Sequence, residues 1–578
     1  MTRQEFSAFR ALYEKEGRSV LFSIANVLHG TARMDRSTMI AAAYVLLMAD
    51  DSRKDIGSID SFCKSIHADE NRMAFLESCL GDAWHMVVGQ RYRYNGNTLK
   101  SIILFCEDRE MRFGTEGKTP VSVSRLACKL FNFSDNDEIA DFGLGSAAFT
   151  IEAYLNNPTL RFSAIEINAS AKEIAAIRLE VLGCEIGIEH GNIFDLDAEK
   201  NQYQHIFSNY PFGLRLREIG FDKYRLLRRI TQKVPVFTKS VSSDWFFNAA
   251  IVECLKETGR GIAVMTNGST WNTQDRAVRE YFVQNGYLEA VIALPEKLFE
   301  NTGIPTVMIM ISRNNERTML VDATELCEKG RRFNTFTDAQ IERIAFAVRH
   351  ETAYSRFISQ AEFADNDYVI NPVRYLTEDV VVENGVPFGD IIRSITRGAP
   401  LKASKLDEMV SEEPTDYQYL LLSNIQHGQI DTELPYIKGI RDSQRKYCLK
   451  NHALILSKNG MPFKVAVAEV PAGKTILASG NLYIIEIDEE KANPYYVKAF
   501  LESEKGIALL KSISVGAVLP NIGVDALKKI SVPLIPLAEQ HALAARYLAK
   551  TDEILLLQRT LQKAYKELSS IYDNQEQK

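Results

Sequence analysis

The sequence predicts an α/β protein with a largely parallel central sheet, flanked by an N-terminal helical domain and a C-terminal α+β domain that ends in a long helix. Three observations predict this. Between residues 109 and 315, short apolar runs alternate with helix-like stretches, as in strands joined by crossover helices. Before this region, apolar residues recur at helical spacing. After it, strand-like segments are punctuated by glycine. The expected domains are residues 1–108, 109–385, 386–535 and 536–578.

The composition is that of an ordinary globular protein. The 578 residues are 46% apolar and 25% charged, which argues against a mainly disordered or fibrous chain. With a net charge of −7, binding to nucleic acid requires local basic patches. No apolar run approaches the roughly 20 residues that span a bilayer, and no signal-peptide pattern opens the chain. Because no apolar run is long enough to span a bilayer, we expect no membrane contact. The eight cysteines form no Cys-x-x-Cys pair, so we expect a cytoplasmic protein with no metal site.

The two ends of the chain are expected to be helical. Residues 1–108 carry apolar side chains three or four positions apart, and we interpret them as a packing or DNA-clamping domain. A helix is expected to begin after Pro536. It carries two series of apolar residues at seven-residue spacing: Ile554, Leu561, Leu568 and Leu557, Ala564, Ile571. This pattern fits a short coiled-coil seam or an ordinary amphipathic helix, and the sequence leaves both open.

A loop with glycines follows the first predicted strand. Small residues in the segment Asp141–Phe149, which includes Gly143, Gly145 and Ser146, let the backbone approach a ligand closely. The helix that follows offers free N–H groups. Taken by itself, this motif is weak, and a tight turn without a ligand explains the loop somewhat better.

The next strand ends in an acidic residue. Glu166 lies 25 residues after Asp141, where a carboxylate can accept both hydroxyls of a ribose. Ala148 stands where a dinucleotide-binding loop has its third glycine, and no Walker Lys-Ser/Thr pair is present. A nucleoside cofactor without a pyrophosphate therefore fits better, and S-adenosylmethionine is the expected cofactor.

A third segment, Asn209-Tyr210-Pro211-Phe212, follows another predicted strand. The exocyclic amine of adenine is a poor nucleophile because its lone pair is delocalised into the ring. Two acceptors on its two N–H groups favour a pyramidal nitrogen, and the Asn209 side-chain oxygen and the Tyr210 carbonyl are suited to that role. Phe212 is expected to stack on the base. A turn without catalytic function is the alternative.

Taken in order, these segments resemble motifs I, II and IV of the gamma class of amino-directed DNA adenine methyltransferases. More closely, residues 110–315 resemble the modification subunit of type I restriction–modification systems, including Asp244-Trp-Phe-Phe and Ala290–Thr306. The resemblance implies a Rossmann-like S-adenosylmethionine-dependent methyltransferase core. It also implies that Thr119 and Pro120 cover the methionine end of the cofactor and that Asn192 and Ile193 border its adenine.

Two departures from that family's pattern stand out. The family usually has proline where Tyr210 stands, which keeps the carbonyl acceptor but loses some rigidity. After the motif I loop the family usually has a Gly-Gly pair, and this chain has Ala147-Ala148. Alanine has fewer accessible backbone conformations than glycine. A weak or degenerate enzyme is therefore one reading of these changes.

Residues 386–572 resemble a single target-recognition domain of a type I specificity subunit followed by its long helix. The matching stretches include Tyr419–Ile425, Ala453–Gly460 and Ile530–Gln540. This implies that one chain carries both the methyltransferase and half of a bipartite DNA reader. Half a reader has to pair to make a whole one, so we expect a homodimer joined through the C-terminal helix.

Two basic segments are the expected contacts with DNA. Residues 215–233 carry seven basic and two acidic side chains, net +5, and residues 438–474 carry eight and two, net +6. A solvated basic helix face is the alternative for either. The expected DNA-binding residues are Arg215, Arg217, Arg228, Arg229, Lys438, Arg441, Arg445, Lys446, Lys458 and Lys464.

The leading hypothesis is a site-specific DNA adenine-N6 methyltransferase that uses S-adenosylmethionine, binds double-stranded DNA and flips the target adenine into the Asn-Tyr-Pro-Phe pocket. A catalytically silent DNA-binding module of a restriction–modification-type complex is the alternative. Methylation of RNA or of a protein glutamine is a second alternative, against which the DNA-recognition region argues. No nuclease motif is visible in the sequence, and a separate restriction subunit as partner is left open.

Overall fold

The computed structural model describes residues 1–33, 35–51, 54–106, 119–214, 223–299, 304–376, 382–401, 403–460, 462–515 and 521–573. The chain divides into two compact units, Met1–Leu376 and Thr377–Lys578.

The first unit opens with helices packed around one apolar core. Polar side chains at Thr2, Asp35, Ser58, Asp69 and Asn95 accept backbone hydrogen bonds and so set where five of these helices begin. The helices are α1 (Arg3–Leu12), α2 (Arg18–Leu28), α3 (Arg36–Met48), α4 (Ile59–Ser65), α5 (Glu70–Leu80), α6 (Trp84–Val88) and α7 (Gly96–Phe105). The prediction of a helical N-terminal region is confirmed.

A nine-stranded sheet forms the centre of the first unit, in the order β3-β2-β1-β4-β5-β7-β6-β8-β9. The strands are β1 (Glu138–Phe142), β2 (Arg161–Glu166), β3 (Ile186–His190), β4 (Tyr203–Ser208), β5 (Leu255–Thr266), β6 (Leu288–Ala293), β7 (Thr306–Ile311), β8 (Arg317–Asp322) and β9 (Ser355–Ser359). Strands β7 and β9 run antiparallel to their neighbours and the others are parallel. The predicted α/β fold is confirmed, and its sheet is mixed at one side.

Helices cover this sheet on both faces. They are α8 (Val121–Phe131), α9 (Ala148–Asn156), α10 (Ala169–Leu182), α11 (Arg225–Lys233), α12 (Ser243–Cys254), α13 (Arg276–Gln284), α14 (Asp338–Ala347), α15 (Gln360–Asp365) and α16 (Val373–Leu376). Neighbouring residues of β4 belong to different apolar cores, Ile206 to one and Phe207 to the other. Because successive side chains of a strand point to opposite faces, each face has its own core.

The second unit is an α+β structure, as predicted. Its strands are β10 (Gly385–Pro387), β11 (Ile392–Arg397), β12 (Tyr417–Leu420), β13 (Ile425–Gln426), β14 (Gln429–Ile430), β15 (Leu454–Ser457), β16 (Val465–Val467), β17 (Thr475–Ala478), β18 (Leu482–Ile487), β19 (Ser514–Val515), β20 (Asn521–Ile522) and β21 (Ser531–Pro533). Its helices are α17 (Ala403–Met409), α18 (Pro494–Leu501), α19 (Glu504–Ser512), α20 (Val524–Lys529) and α21 (Leu537–Asp573).

The largest sheet of this unit is antiparallel, in the order β11-β18-β15-β16. The 37-residue helix α21 packs against α18 near its start. None of the helices described combines the length and the hydropathy of a membrane span. The three boundaries between the four expected domains stay predictions.

Candidate active site

The loop after β1 has the backbone conformation that its glycines allow. Gly143 and Gly145 have φ values of +85° and +52°, in the left-handed region that glycine enters without strain. The Gly143 and Leu144 N–H groups donate to the Ile165 carbonyl on β2, at 3.0 and 3.2 Å. The loop therefore crosses the carboxyl end of β1 toward β2, the edge at which ligands bind in open parallel sheets.

Glu166 joins two loops at this edge. Its side chain is buried and accepts hydrogen bonds from the Gly145 N–H at 2.7 Å and from the Asn168 N–H at 2.8 Å. Each carboxylate oxygen has two acceptor positions, so one on each stays available to a ligand hydroxyl. The structure thus brings together the glycine loop after β1 and Glu166, the two features from which the sequence predicts a nucleoside site.

Asp141 is buried beneath the same loop. Its carboxyl group accepts a hydrogen bond from the Thr150 hydroxyl at 2.8 Å. Burial raises the pKa of Asp141 to about 8, the Thr150 hydrogen bond opposes the rise, and the charge of Glu166 adds to it. Asp141 is therefore neutral at pH 7, and Glu166 has no second negative charge beside it.

Arg178 of α10 holds the loop after β1 in place. Its guanidinium group is buried and donates to the carbonyl oxygens of Ile103 at 3.0 Å, Cys106 at 2.7 Å and Ser146 at 3.3 Å. It thereby links Ser146, an expected cofactor residue, to the end of the N-terminal helical region. The sequence analysis did not single out this arginine, because its partners are backbone atoms that no motif records.

The expected adenine-bordering segment lies after β3. The Asn192 side chain accepts a hydrogen bond from the Phe194 N–H at 3.0 Å and so caps a short 3₁₀ turn. Ile193 is half-buried against the core that includes Phe194. The Gly191 N–H donates to the Glu166 carbonyl at 3.0 Å, so this segment borders the site of Glu166.

Asn209 lies directly after β4 and is held by a residue 90 positions earlier. Its Nδ2 donates to the Thr119 hydroxyl at 2.9 Å. Its Oδ1 is buried and accepts no hydrogen bond within the described residues. Leaving a buried acceptor without a donor costs about 1–3 kcal/mol, and such atoms are typical of functional sites. The Thr119 contact fixes the amide, and an incoming N–H group would satisfy its oxygen.

Tyr210 shows how the chain accommodates its departure from proline. The side chain is 2% exposed and stacks on Phe247 of α12, with ring centroids 4.6 Å apart. Its hydroxyl donates to the Asn248 Oδ1 at 3.2 Å. The tyrosine ring thus anchors the loop in the core, which offsets part of the rigidity that proline would supply. The ring does not itself occupy the site.

The last two residues of the segment are more accessible. Pro211 is exposed. Phe212 is half-buried, and its ring meets Phe299 edge to face, with centroids 5.7 Å apart. This contact positions the ring beside the Asn209 loop, and the expected stacking on a base stays a prediction.

Helix α12 supports the loops after both β4 and β5. Asn248 and Phe247 hold Tyr210, and Asp244 accepts hydrogen bonds from the Thr266 N–H, the Thr266 hydroxyl and the Ser269 hydroxyl. Burial raises the pKa of Asp244, and its three hydrogen bonds oppose that rise. Asp244 and Asn248 are four residues apart on one helix, a spacing that the sequence shows but that acquires meaning only with the tertiary contacts.

The cations of the first basic segment are mostly paired. Arg225 bonds Asp197, and Lys233 bonds Glu253. Arg229 bonds both Glu199 and Glu253. Arg228 is exposed, and no ion pair to it appears in the described residues. Arg215 and Arg217 lie outside the described residues.

The expected cations of the second unit differ in their surroundings. Lys464 donates to the carbonyls of Leu422 and Ile425, and Lys438 donates to that of Glu408. The remaining expected cations are mostly exposed, apart from half-buried Lys458: Arg441, Arg445, Lys446 and Lys458. Among these four, an ion pair is seen in the described residues for Arg445 alone, with Asp442. No cluster of metal-ligating side chains occurs in the part of the chain that the structure describes.

Two family models match the chain in sequence. Residues 110–383 match N-6 DNA Methylase, and residues 386–564 match the type I restriction modification DNA specificity domain. A methylase subunit of the type I restriction enzyme MjaVIII from Methanocaldococcus jannaschii is 22% identical over 312 residues, which are 48% of this chain and 52% of that protein. The HindI methylase subunit from Haemophilus influenzae is 25% identical over 173 residues, 27% of this chain and 39% of that protein. The chain thus spans about half the length, or less, of these curated relatives.

Solved structures also resemble the chain, and the two described next have TM-scores below 0.5. A type I restriction–modification methyltransferase subunit from Streptococcus thermophilus has a TM-score of 0.47 at 18% identity, covering 64% of this chain and 86% of that one. The type IIG restriction endonuclease BpuSI has a TM-score of 0.48 at 13% identity, covering 91% and 74%.

Proposed function

We propose that the protein is a site-specific DNA adenine-N6 methyltransferase, because residues 110–383 match N-6 DNA Methylase and residues 386–564 match the type I restriction modification DNA specificity domain. The observation that carries the proposal is the Oδ1 of Asn209 at the carboxyl end of β4, which is buried and accepts no hydrogen bond from any residue that the structure describes. The exocyclic amine of an extruded adenine has the N–H group that this oxygen lacks.

The cofactor we propose is S-adenosylmethionine, which supplies an electrophilic methyl group when bound. The residues present fit such a ligand. The loop of Gly143 and Gly145 leaves room for close backbone approach, and the Glu166 carboxylate has acceptor positions for ribose hydroxyls. Because the raised pKa favours the neutral form of Asp141, this residue adds no second negative charge beside the Glu166 carboxylate. Thr119, Pro120, Asn192 and Ile193 complete the proposed cofactor site by family resemblance.

Positioning is the proposed source of catalysis. The Asn209 Oδ1 and the Tyr210 carbonyl each accept one N–H of the amine, which makes the nitrogen pyramidal and directs its lone pair toward the methyl group. Thr119 holds the Asn209 amide in the required orientation, and the buried Tyr210 ring holds the carbonyl. Phe212 supplies an aromatic face for the base. This scheme calls for no metal ion.

Double-stranded DNA is the proposed substrate, read by the second unit. Helix α21 exposes Ile554, Leu557 and Leu561, each more than 49% accessible, which supports a homodimer through this helix. We propose a cytoplasmic location, because eight cysteines without a Cys-x-x-Cys pair fit a reducing compartment. A separate restriction subunit is a further proposed partner, by family resemblance.

The second candidate is a DNA-binding module without catalytic activity. Ala147 favours it, because this residue adopts a φ of +63°, a conformation costly for alanine, at a place where the related family has glycine. Isothermal titration with S-adenosylmethionine separates the two candidates. Saturable binding supports the enzyme, and no binding supports the silent module.

Asn209→Ala tests the proposed role of the amide. Because the variant loses an acceptor needed in the transition state, we expect methyl transfer from labelled cofactor to mixed-sequence DNA to fall at least about 100-fold. Cofactor affinity should fall much less than methyl transfer does, since Asn209 reaches the proposed cofactor site only through its hydrogen bond to Thr119. Asn156→Ala, at the exposed last residue of α9, is the matched control. Parental methyl transfer by Asn209→Ala would overturn the proposal.

A further inference from the structure

Two cations meet at one end of the four-stranded sheet of the second unit. Arg397 ends β11 and is in register with Tyr483 of β18, which in turn is in register with Leu456 of β15. Lys458 follows two residues after Leu456. Strands β11 and β15 both run antiparallel to β18, so they run in the same direction and their last residues lie at the same edge.

A single turn fixes both residues. The Arg397 Nε donates to the Gly480 carbonyl at 2.8 Å, and the Lys458 N–H donates to the Asn481 carbonyl at 2.8 Å. The Lys458 carbonyl accepts from the Ile522 N–H at 3.0 Å. Because these anchors involve backbone atoms of adjacent residues, the two positively charged side chains are held near each other by the fold.

No acidic side chain forms an ion pair with either cation in the described part of the chain. Other basic residues of the same sheet region are neutralised: Arg393 bonds Asp488 at 2.9 Å, and Lys450 bonds Glu486 at 2.8 Å. Burial and the charge of Arg397 both lower the pKa of Lys458, so the two cations repel each other. The fold therefore keeps together two like charges that an anion would stabilise.

Side-chain amides lie next to the pair. Asn459 follows Lys458, Asn481 lies in the shared turn, and the Asn521 Nδ2 donates to the Asn459 Oδ1. Arg397 is exposed and Lys458 is half-buried, so a ligand can reach both. This combination of two cations and side-chain amides is typical of a surface that contacts nucleic acid.

We propose that Arg397 and Lys458 form a paired clamp for a phosphodiester of the DNA backbone. The inference rests on the proposed function, and it adds Arg397, which the charge count along the sequence does not select. The clamp positions DNA on the second unit and carries no sequence information itself. The clamp role is proposed for these two cations and not for Arg393 or Lys450, because acidic side chains already neutralise those two.

The salt dependence of DNA binding tests the clamp. The equilibrium constant for a DNA duplex is measured at several salt concentrations for the full-length parent, Arg397→Gln, Lys458→Gln and the double variant. Because the two cations bind one phosphate, the double variant should reduce the magnitude of the slope of log K against log salt by about 0.9, and each single variant should reduce it by no more than that. Arg393→Gln, on the same strand but paired with Asp488, should keep the parental slope. Lys458→Arg, which keeps the charge, should keep it too.

The outcomes separate this inference from the proposed function. A parent that binds no DNA contradicts both. A parent that binds DNA, together with a double variant of unchanged slope, contradicts the clamp alone. At constant ionic strength, inorganic phosphate should compete with DNA no better than chloride does. If millimolar phosphate binds the parent and not the double variant while both show the same salt dependence of DNA binding, the pair is a site for a free anion and the clamp is rejected.

Discussion

At the scale of single residues, two buried polar atoms mark the site. The Asn209 Oδ1 accepts no hydrogen bond within the described ranges, and burial raises the pKa of the Asp141 carboxyl to about 8, which favours its neutral form. The sequence predicts both residues from their place after a strand. It cannot predict that Thr119 orients the amide or that Asp141 is uncharged, because each property depends on atoms that are distant in the chain.

Asp141→Asn should stabilise the ligand-free protein, and the effect should grow with pH. The folded pKa of about 8 lies above the unfolded value of 3.8, so the stability that Asp141 contributes is complete below pH 3.8 and is lost as the pH rises toward 8. The parent loses about 1.4 kcal/mol per pH unit in this window, and the variant loses none from this group. The shift in thermal midpoint relative to the parent should therefore be larger at pH 7 than at pH 5.

Asp50→Asn, at an exposed position, is the control for this measurement and should show no such growth. A midpoint shift for Asp141→Asn that is equal at both pH values would mean that the buried carboxyl is ionised in the folded protein.

Tyr210 illustrates how far a motif alone can be read. The sequence identifies it as a departure from proline and predicts a less rigid turn. The structure adds that its ring stacks on Phe247 and bonds Asn248, so tertiary packing holds the turn instead of the backbone ring. The partners lie on a helix more than 30 residues later, so the local sequence does not predict the contact.

At the scale of elements, the order of strands and helices was largely predictable. Apolar runs identified β1, β2 and the strands from β4 to β7, because buried strands are apolar on both faces, and they missed the more exposed β3. The antiparallel direction of β7 was not predicted. Pairing direction is set by the connection and by neighbours on both sides, and the apolar pattern of a fully buried strand is the same in either direction.

Helix α21 carries the prediction about assembly. The double substitution Leu557→Glu with Leu561→Glu places charges in the two apolar series and should convert a dimer to a monomer, measured by analytical ultracentrifugation with and without DNA. Leu556 is 66% exposed and Leu557 62%, but Leu556 belongs to neither series. Leu556→Glu is therefore the matched control and should stay dimeric. A parent that sediments as a monomer, with and without DNA, would rule out this route to a two-part site.

At the scale of the whole molecule, the two units divide the proposed work. The first contains the Asn209 loop and the proposed cofactor site, and the second contains the proposed DNA reader with its unpaired cations. The sequence predicted this division from composition and resemblance. It did not predict which cations are available for DNA, since seven expected or neighbouring basic side chains prove to be paired with acids: Arg225, Arg229, Lys233, Arg393, Arg445, Lys450 and Lys474.

Base analysis of methylated DNA tests the central claim most directly. Unmethylated DNA is incubated with the protein and S-adenosylmethionine, digested to nucleosides and analysed by mass spectrometry. The account predicts N6-methyldeoxyadenosine with the parent and at least about 100-fold less with Asn209→Ala. A parent that binds the cofactor and DNA yet yields no N6-methyldeoxyadenosine, or that methylates cytosine, would contradict it.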